Sequence, residues 1–162
     1  MSEDKVELSK AVREKIDQWV TRYPKEQKRS GVMEALRFVQ EEQGWLSEAY
    51  MNAVADYLEM PQVAVYEVAT FYTFYHLKPT GRHVINVCTN ISCMLCGSEK
   101  VVVHLKNKLG IDLNEITADG KFILKEVECL GACAGAPMMQ VGKKYHEHLT
   151  PDKIDAILAE LE

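Results

Sequence analysis

The sequence predicts an α+β protein with two parts, an N-terminal helical bundle at residues 1–80 followed by an α/β domain at residues 81–162. Three observations support this fold class. Apolar residues such as Val32, Leu36 and Val39 recur at helical spacing in the first part. In the second part, short β-rich stretches alternate with helical ones, as in an α/β sandwich. The pattern changes at residues 79–81, where proline and glycine favour a turn.

Four helices are predicted in the first part, because residues that start or stop helices bound each apolar segment. The first ends before Pro24, and Gly44 closes the second. Ser47 is the predicted N-cap of the third helix, and the fourth opens at Pro61. The predicted spans are 8–22, 32–43, 48–59 and a fourth helix from residue 61.

The second part alternates between the two kinds of element. The predicted strands are 83–87, 122–128, 138–141 and a further strand at 144–148, and the predicted helices are 98–109 and one that begins at 151. Gly142 and Lys143 form the predicted turn between the last two strands, and Thr150 is the predicted cap of the last helix.

Composition limits the possible function classes. The 162 residues carry a net charge of −5, and the lysines are scattered, so nucleic-acid binding is not indicated. No apolar run approaches the length of a membrane span, and residues 1–5 lack the apolar core of a secretory signal. We therefore expect a cytoplasmic protein without direct membrane insertion. The odd number of cysteines, five, does not favour a disulfide framework.

Four of the five cysteines form two close pairs, Cys88 with Cys93 and Cys129 with Cys133. A 2Fe-2S cluster needs two thiolates on each iron, and each pair can be supplied by one bend of backbone. The second pair lies in a run of small residues, where Gly131 and Gly135 can take positive φ and let backbone N–H groups approach the sulfurs. On the first loop, a helix predicted after Gly97 would place Cys93 or Cys96 near the N–H groups of its first turn.

Other uses of these cysteines remain open from spacing alone. They can be ordinary buried apolar residues. Structural zinc is a second alternative, because Cys93 and Cys96 have zinc-knuckle spacing. A thiol-disulfide oxidoreductase using Cys93 and Cys96 is a third, although it leaves the second pair unexplained. A Rieske site is poorly supported, because no cysteine is followed at short spacing by a histidine.

An aromatic segment at residues 69–75, ATFYTFY, lies just before the change in pattern. Its rings either join the helical part to the α/β part or form a docking surface for another protein, since aromatic residues are enriched at interface cores.

Four motifs occur in order along the chain: ATFY at 69–72, VCTNISCMLCG at 87–97, DGKF at 119–122 and ECLGACAGAP at 128–137. Together they resemble the thioredoxin-like 2Fe-2S family, specifically the E subunits of bacterial NADH-quinone oxidoreductase (complex I). The resemblance runs from about Ile16 to Leu161. It implies a helical bundle, a thioredoxin-like domain, and a 2Fe-2S cluster bound by Cys88, Cys93, Cys129 and Cys133.

The resemblance also implies a function. The chain would be a one-electron-transfer subunit of an NADH dehydrogenase in the peripheral arm of complex I, and its cluster would exchange electrons with the FMN of a partner flavoprotein subunit that binds NADH. The sequence contains no nicotinamide or flavin fingerprint, so no NADH-oxidising site is expected on this chain alone. Equivalent subunits of NAD-linked hydrogenases and formate dehydrogenases are the alternative.

Cys96 departs from the family pattern, in which a larger residue is common at this position. Its presence creates the plant-type ferredoxin spacing from Cys88 through Cys93 to Cys96, followed by a distant cysteine. Two further carboxylates, Glu126 and Glu128, precede the second pair, and their charge predicts a low reduction potential.

Overall fold

The computed structural model describes residues 6–161, which form seven α-helices and one four-stranded sheet. These residues divide into two compact units between Pro79 and Thr80. The α+β prediction is confirmed. The prediction that no secretory signal is present concerns residues 1–5, which lie outside the described residues. Within residues 6–161, no helix is long and apolar enough to cross a membrane.

The first unit contains four helices in the predicted order. They are α1 (Lys10–Val20), α2 (Val32–Gln43), α3 (Glu48–Leu58) and α4 (Gln62–Phe71). The first helix is shorter than predicted because the Ser9 side chain caps it, accepting a bond from the N–H of Val12 at 3.1 Å. A 3-10 segment at Lys25–Gly31 was not predicted, because its polar sequence carries no apolar period.

One apolar core joins these helices. Leu36 and Val54 are completely buried in it, and each buried side chain of this size is worth about 1.5–3 kcal/mol. The caps are those expected for α2 and α3. Gly44 closes α2 in the left-handed conformation, and the Ser47 side chain accepts from the N–H of Tyr50 at 3.3 Å.

The second unit contains β1 (His83–Cys88), α5 (Ile91–Leu95), α6 (Ser98–Leu109), β2 (Phe122–Val127), β3 (Met139–Val141), β4 (Lys144–His146) and α7 (Pro151–Leu161). The sheet order is β2-β1-β3-β4. Strands β1 and β2 are parallel, whereas β3 runs antiparallel to both β1 and β4. Residues of α6 and α7 share one core with the sheet.

The short helix α5 was not predicted. It has five residues, too few to show a helical period, and follows Asn90, whose side chain accepts from the N–H of Ile91 at 2.9 Å. The predicted strand ends also move inward: β2 stops at Val127 and β4 at His146. The helix predicted to begin at Ser98 is observed.

Candidate metal centre

The parallel pairing of β1 and β2 brings the two cysteine loops to one edge of the sheet. Cys88, the last residue of β1, lies opposite Val127, the last residue of β2. Because the carboxyl ends of parallel strands meet at the same edge, the loop after each strand leaves from the same place. Cys129 follows β2 by two residues, so it lies near Cys88 despite the long separation in sequence.

The first loop buries its two predicted ligands. Cys88 and Cys93 are each 2% exposed and belong to a small apolar cluster with Met138. Cys93 is the third residue of α5, and it faces inward. Cys96 follows the end of this helix and is exposed. The expectation that the helix after Gly97 would supply N–H groups to Cys93 or Cys96 is therefore wrong: the N–H that faces Cys93 is that of Met138.

The second loop leaves its two predicted ligands exposed. The Sγ atoms of Cys129 and Cys133 lie 3.8 Å apart, and neither residue is in a disulfide. Gly131 has a φ of 79°, which directs its N–H to the Sγ of Cys129 at 3.4 Å. A tetrahedral metal centre with sulfurs at about 2.3 Å holds two of them about 3.8 Å apart, so this pair has the separation of two ligands on one metal.

Gly135 serves a different purpose from the one expected. It lies in a 3-10 turn (Cys133–Gly135), outside the positive-φ region. A Cβ atom built on it would lie 2.5–2.6 Å from side-chain atoms of Glu147. The carbonyl of Gly135 also accepts from the N–H of His148 at 2.6 Å. Close approach of the segment after β4, and not backbone conformation, requires glycine here.

The four predicted ligands form a closed ring of interacting thiols. Cys88 interacts with Cys93 and Cys129, Cys93 also interacts with Cys133, and Cys133 contacts Cys129. The structure thus brings together all four residues that the resemblance identified. It does not by itself test their role as ligands, so that assignment stays a prediction.

Hydrogen-bond donors surround the buried thiols. Burial opposes ionisation of Cys88, but the N–H groups of Leu130 and Asn90, together with the neighbouring thiols, lower its pKa. Burial, followed by the contact with Cys88, raises the pKa of Cys93. Backbone donors near sulfur are what a buried anionic cluster needs, since they replace the water that its charge loses.

The donor set fits a 2Fe-2S cluster. Two loops each supply two thiols, and soft thiolates are the ligands that iron-sulfur clusters use. The described residues contain no group of three or more His, Cys, Asp or Glu side chains arranged to hold one metal ion. The structural zinc alternative needs four ligands around a single ion. Two pairs of thiols, one pair per iron, match the binuclear cluster better.

The dithiol alternative is also disfavoured by the geometry. A thiol-disulfide oxidoreductase attacks with an accessible thiol of low pKa. Cys93 is buried and its pKa is raised, while its proposed partner Cys96 is exposed after the end of α5. The plant-type ligand scheme would require Cys96 in place of Cys133, whereas Cys133 is the residue that interacts with Cys93.

Two residues that sequence reasoning noted only for their charge make specific contacts. Thr89 Oγ1 donates to Glu126 Oε1 at 2.6 Å, and Asn90 Nδ2 donates to Glu128 Oε2 at 2.8 Å. Both bonds connect the first cysteine loop to β2 and the second loop. No local sequence signal indicates them, because the partners are 37 and 38 residues apart.

The aromatic segment at 69–75 divides between core and surface. Tyr75 is buried in the core of the helical unit, and its hydroxyl donates to the carbonyl of Met33 at 2.7 Å. Phe71, by contrast, is 76% exposed, and Tyr72 and Phe74 are also exposed. Substitution of Tyr75 would therefore report on folding of the helical unit, and only the exposed rings remain candidates for an interface.

Comparison with known proteins places the fold and the four cysteines in one class. Residues 16–162 match the model of the thioredoxin-like 2Fe-2S ferredoxin family. The chain belongs to this family.

Its relatives narrow the class. The chain is 48% identical over 147 residues to the NADH-quinone oxidoreductase E 2 subunit of Rhizobium meliloti (strain 1021), covering 91% of this chain and 86% of the relative. It is 47% identical over 143 residues to the NADH-quinone oxidoreductase E subunit of Rickettsia bellii (strain RML369-C), covering 88% of this chain and 86% of the relative. The predicted resemblance is thus confirmed. These relatives are subunits of an oxidoreductase with other subunits.

A solved structure shares the fold at low sequence identity. The air-oxidized state of an NAD+-reducing NiFe-hydrogenase superposes with a TM-score of 0.71 at 21% identity, over 81% of this chain. The match spans only 22% of that hydrogenase chain. This likeness shows the fold alone.

Proposed function

We propose that this chain is the one-electron-transfer subunit of an NADH-quinone oxidoreductase, in the peripheral arm of respiratory complex I. One observation carries the proposal: the ring of four thiols lies in a chain that is 48% identical, over 91% of its length, to an E subunit of that enzyme. Electron transfer is the reaction that a 2Fe-2S centre performs, and no separate substrate chemistry is required of this chain.

The residues of the site have distinct roles in this proposal. Cys88, Cys93, Cys129 and Cys133 hold the cluster, which takes up and releases one electron when bound. The first pair is buried and is held by a strand end and a helix. The N–H groups of Asn90, Leu130 and Gly131 face sulfur atoms and offset the negative charge of the centre.

The partner in this proposal is a flavoprotein subunit of the same complex that binds FMN and NADH. The relatives' names support a multi-subunit oxidoreductase. This chain would oxidise no NADH by itself. We place the complex arm on the cytoplasmic side of the membrane, with no membrane insertion by this chain. We further propose that residues 1–80 and 81–162 are its two domains, the second carrying the cluster.

Metal analysis of the purified chain tests the first part of the proposal. Purified anaerobically, the chain is expected to contain two irons and two acid-labile sulfides, with the visible bands of a 2Fe-2S centre and a one-electron EPR signal on reduction. Cys96→Ser is the matched control, because it changes a cysteine that is exposed outside the ring. A colourless protein containing zinc or no metal would rule the proposal out.

Coexpression tests the partner. Together with the flavoprotein subunit of a complex I operon, the chain should form a stable heterodimer that reduces ferricyanide with NADH, while the purified chain alone should not oxidise NADH. The flavoprotein subunits of an NAD-linked hydrogenase and a formate dehydrogenase serve as controls for the alternative assignments. Stable pairing with one of them, and not with the complex I flavoprotein, would reassign the chain. NADH oxidation by the flavin-free chain alone would contradict the proposal.

A further inference from the structure

The two cysteine loops are joined by side chains beyond the last backbone pair of the parallel strands. The backbone ladder between β1 and β2 ends at the pair Cys88 and Val127. Beyond it, the Asn90 amide donates to the Glu128 carboxylate at 2.8 Å. Glu128 immediately precedes Cys129, and Asn90 lies between Cys88 and Cys93. This bond therefore spans the gap between the two pairs of thiols.

Asn90 contacts both the helix that follows it and the second loop. Its Oδ1 accepts from the N–H of Ile91 at 2.9 Å and so begins α5, the helix that carries Cys93. Its Nδ2 donates to Glu128. Its own N–H donates to the thiol of Cys88. One side chain and its backbone thus set the direction of α5, the distance to the second loop, and a donor to sulfur.

We propose that Asn90 and Glu128 are positioning residues for the cluster: their bond sets the relative placement of the two thiol pairs and holds the Asn90 N–H on the Cys88 sulfur. This inference rests on the proposed ligand set. Residues that orient metal ligands by hydrogen bonding affect metal retention without binding the metal themselves. A bond on the protein surface adds little to global stability, so its effect is expected at the site and not in the fold.

The bond also predicts a spectroscopic and electrochemical effect. Hydrogen bonds to cluster sulfurs favour the reduced state, because it carries one more negative charge. If the Asn90 N–H moves away from Cys88, the midpoint potential falls. A change in the angle between the two loops changes the ligand field at the irons, which the EPR g-values of the reduced cluster report.

A reversal of the bond separates positioning from charge. Asn90→Asp keeps an oxygen that can cap α5 but places a carboxylate against Glu128. Glu128→Gln removes a charge but keeps an oxygen that can accept from Asn90. The double variant Asn90→Asp/Glu128→Gln again places a donor opposite an acceptor, with the bond reversed and the total charge equal to that of the unmodified chain.

All variants are compared as full-length chains carrying the cluster, by EPR, by redox titration and by the rate at which a chelator removes iron. For Asn90→Asp we expect shifted g-values, a lower midpoint potential and about 10- to 100-fold faster iron loss. For Glu128→Gln we expect unchanged g-values and a higher midpoint potential, because a negative charge is removed near the cluster. The double variant should recover the original g-values and most of the iron retention.

Thr89→Val is the matched control, because it removes the parallel bond to Glu126 while keeping the size of the side chain. We expect the g-values of this variant to stay unchanged. The inference is overturned if Asn90→Asp retains the original g-values and iron retention, if the double variant recovers neither, or if Thr89→Val changes the spectrum as strongly as Asn90→Asp.

Failure of the inference and failure of the proposed function are distinguishable. If the unmodified chain forms no 2Fe-2S centre, or if Cys88→Ser keeps its spectrum, the proposed function and ligand set are wrong. If the unmodified chain forms the centre and Cys88→Ser loses it, the ligand set stands, and the Asn90 and Glu128 variants alone decide the inference.

Discussion

The two cysteine loops place their thiols in opposite environments. Cys88 and Cys93 are buried and are held by a strand end and a short helix, whereas Cys129 and Cys133 are exposed on a turn of small residues. Packing of side chains orients the first pair. Backbone conformation and close approach, through Gly131 and Gly135, orient the second. The same ligand chemistry is thus reached by two different physical means.

Ligand substitution should have the largest effect and should separate the loops. Each of the changes Cys88→Ser, Cys93→Ser, Cys129→Ser and Cys133→Ser replaces a thiolate with a weaker oxygen donor. In the buried loop, no water can complete the coordination easily, so we expect a cluster-free protein. In the exposed loop, we expect a labile cluster with shifted EPR and visible bands. Iron and sulfide analysis with both spectra measures the difference.

The fifth cysteine supplies the control for that series. Cys96→Ser and Cys96→Arg should keep the original spectrum, because Cys96 is exposed and outside the ring of thiols. Since Cys96 could replace a lost ligand, the double variant Cys96→Ser/Cys133→Ser must accompany Cys133→Ser. Loss of the cluster in Cys96→Ser, with retention in Cys133→Ser, would show that the plant-type ligand scheme is correct.

Overpacking of the second loop should come next in size. Gly135→Ala forces a Cβ into the Glu147 side chain, including its Cβ and Cγ atoms, which cannot move as freely as the end of the chain. We expect a loss of about 1–3 kcal/mol in the free energy of unfolding. Urea titration of the cluster-free protein measures it. An unchanged midpoint would show that the segment after β4 adjusts and that close approach does not require glycine.

Backbone strain in the same loop should cost slightly less. Gly131→Ala meets no atom within 4 Å, but it places an alanine at a φ of 79°. A left-handed residue other than glycine costs about 1–2 kcal/mol. Urea titration of the cluster-free protein measures this as well. A matched change, Gly110→Ala, has a φ of 66° and equally open surroundings far from the cysteines in sequence. Only Gly131→Ala should also accelerate iron loss, and equal iron loss in both would contradict a specific role for Gly131.

The smallest expected effect concerns the support of the second loop from outside. The hydroxyl of Tyr145 donates to the carbonyl of Leu130 at 2.8 Å, and the N–H of Leu130 faces Cys88. Because Tyr145 is exposed, Tyr145→Phe should cost only about 0.5 kcal/mol, the lower end of the range for one hydrogen bond. The measurement is the same urea titration. A loss of the cluster in this variant would show that the hydroxyl does more than support one carbonyl.

Much of the fold was predictable because local rules govern its elements. Ser47 and Gly44 mark helix ends through caps that involve neighbouring residues only, and both were found as predicted. The helix α5 was missed because five residues carry no period, although Asn90 before it is a common N-cap residue. Tyr75 was grouped with its exposed neighbours, since an aromatic run does not show which ring enters the core.

The sequence by itself determined the four motifs, their order and the pairing of the cysteines along the chain. These features depend on residue type and short spacing, which are visible without coordinates. Only the tertiary structure decided which thiols are buried, why Gly135 must be glycine, and that Asn90 meets Glu128 across 38 residues. Those facts depend on the register of two parallel strands, because register brings together residues that are distant in sequence.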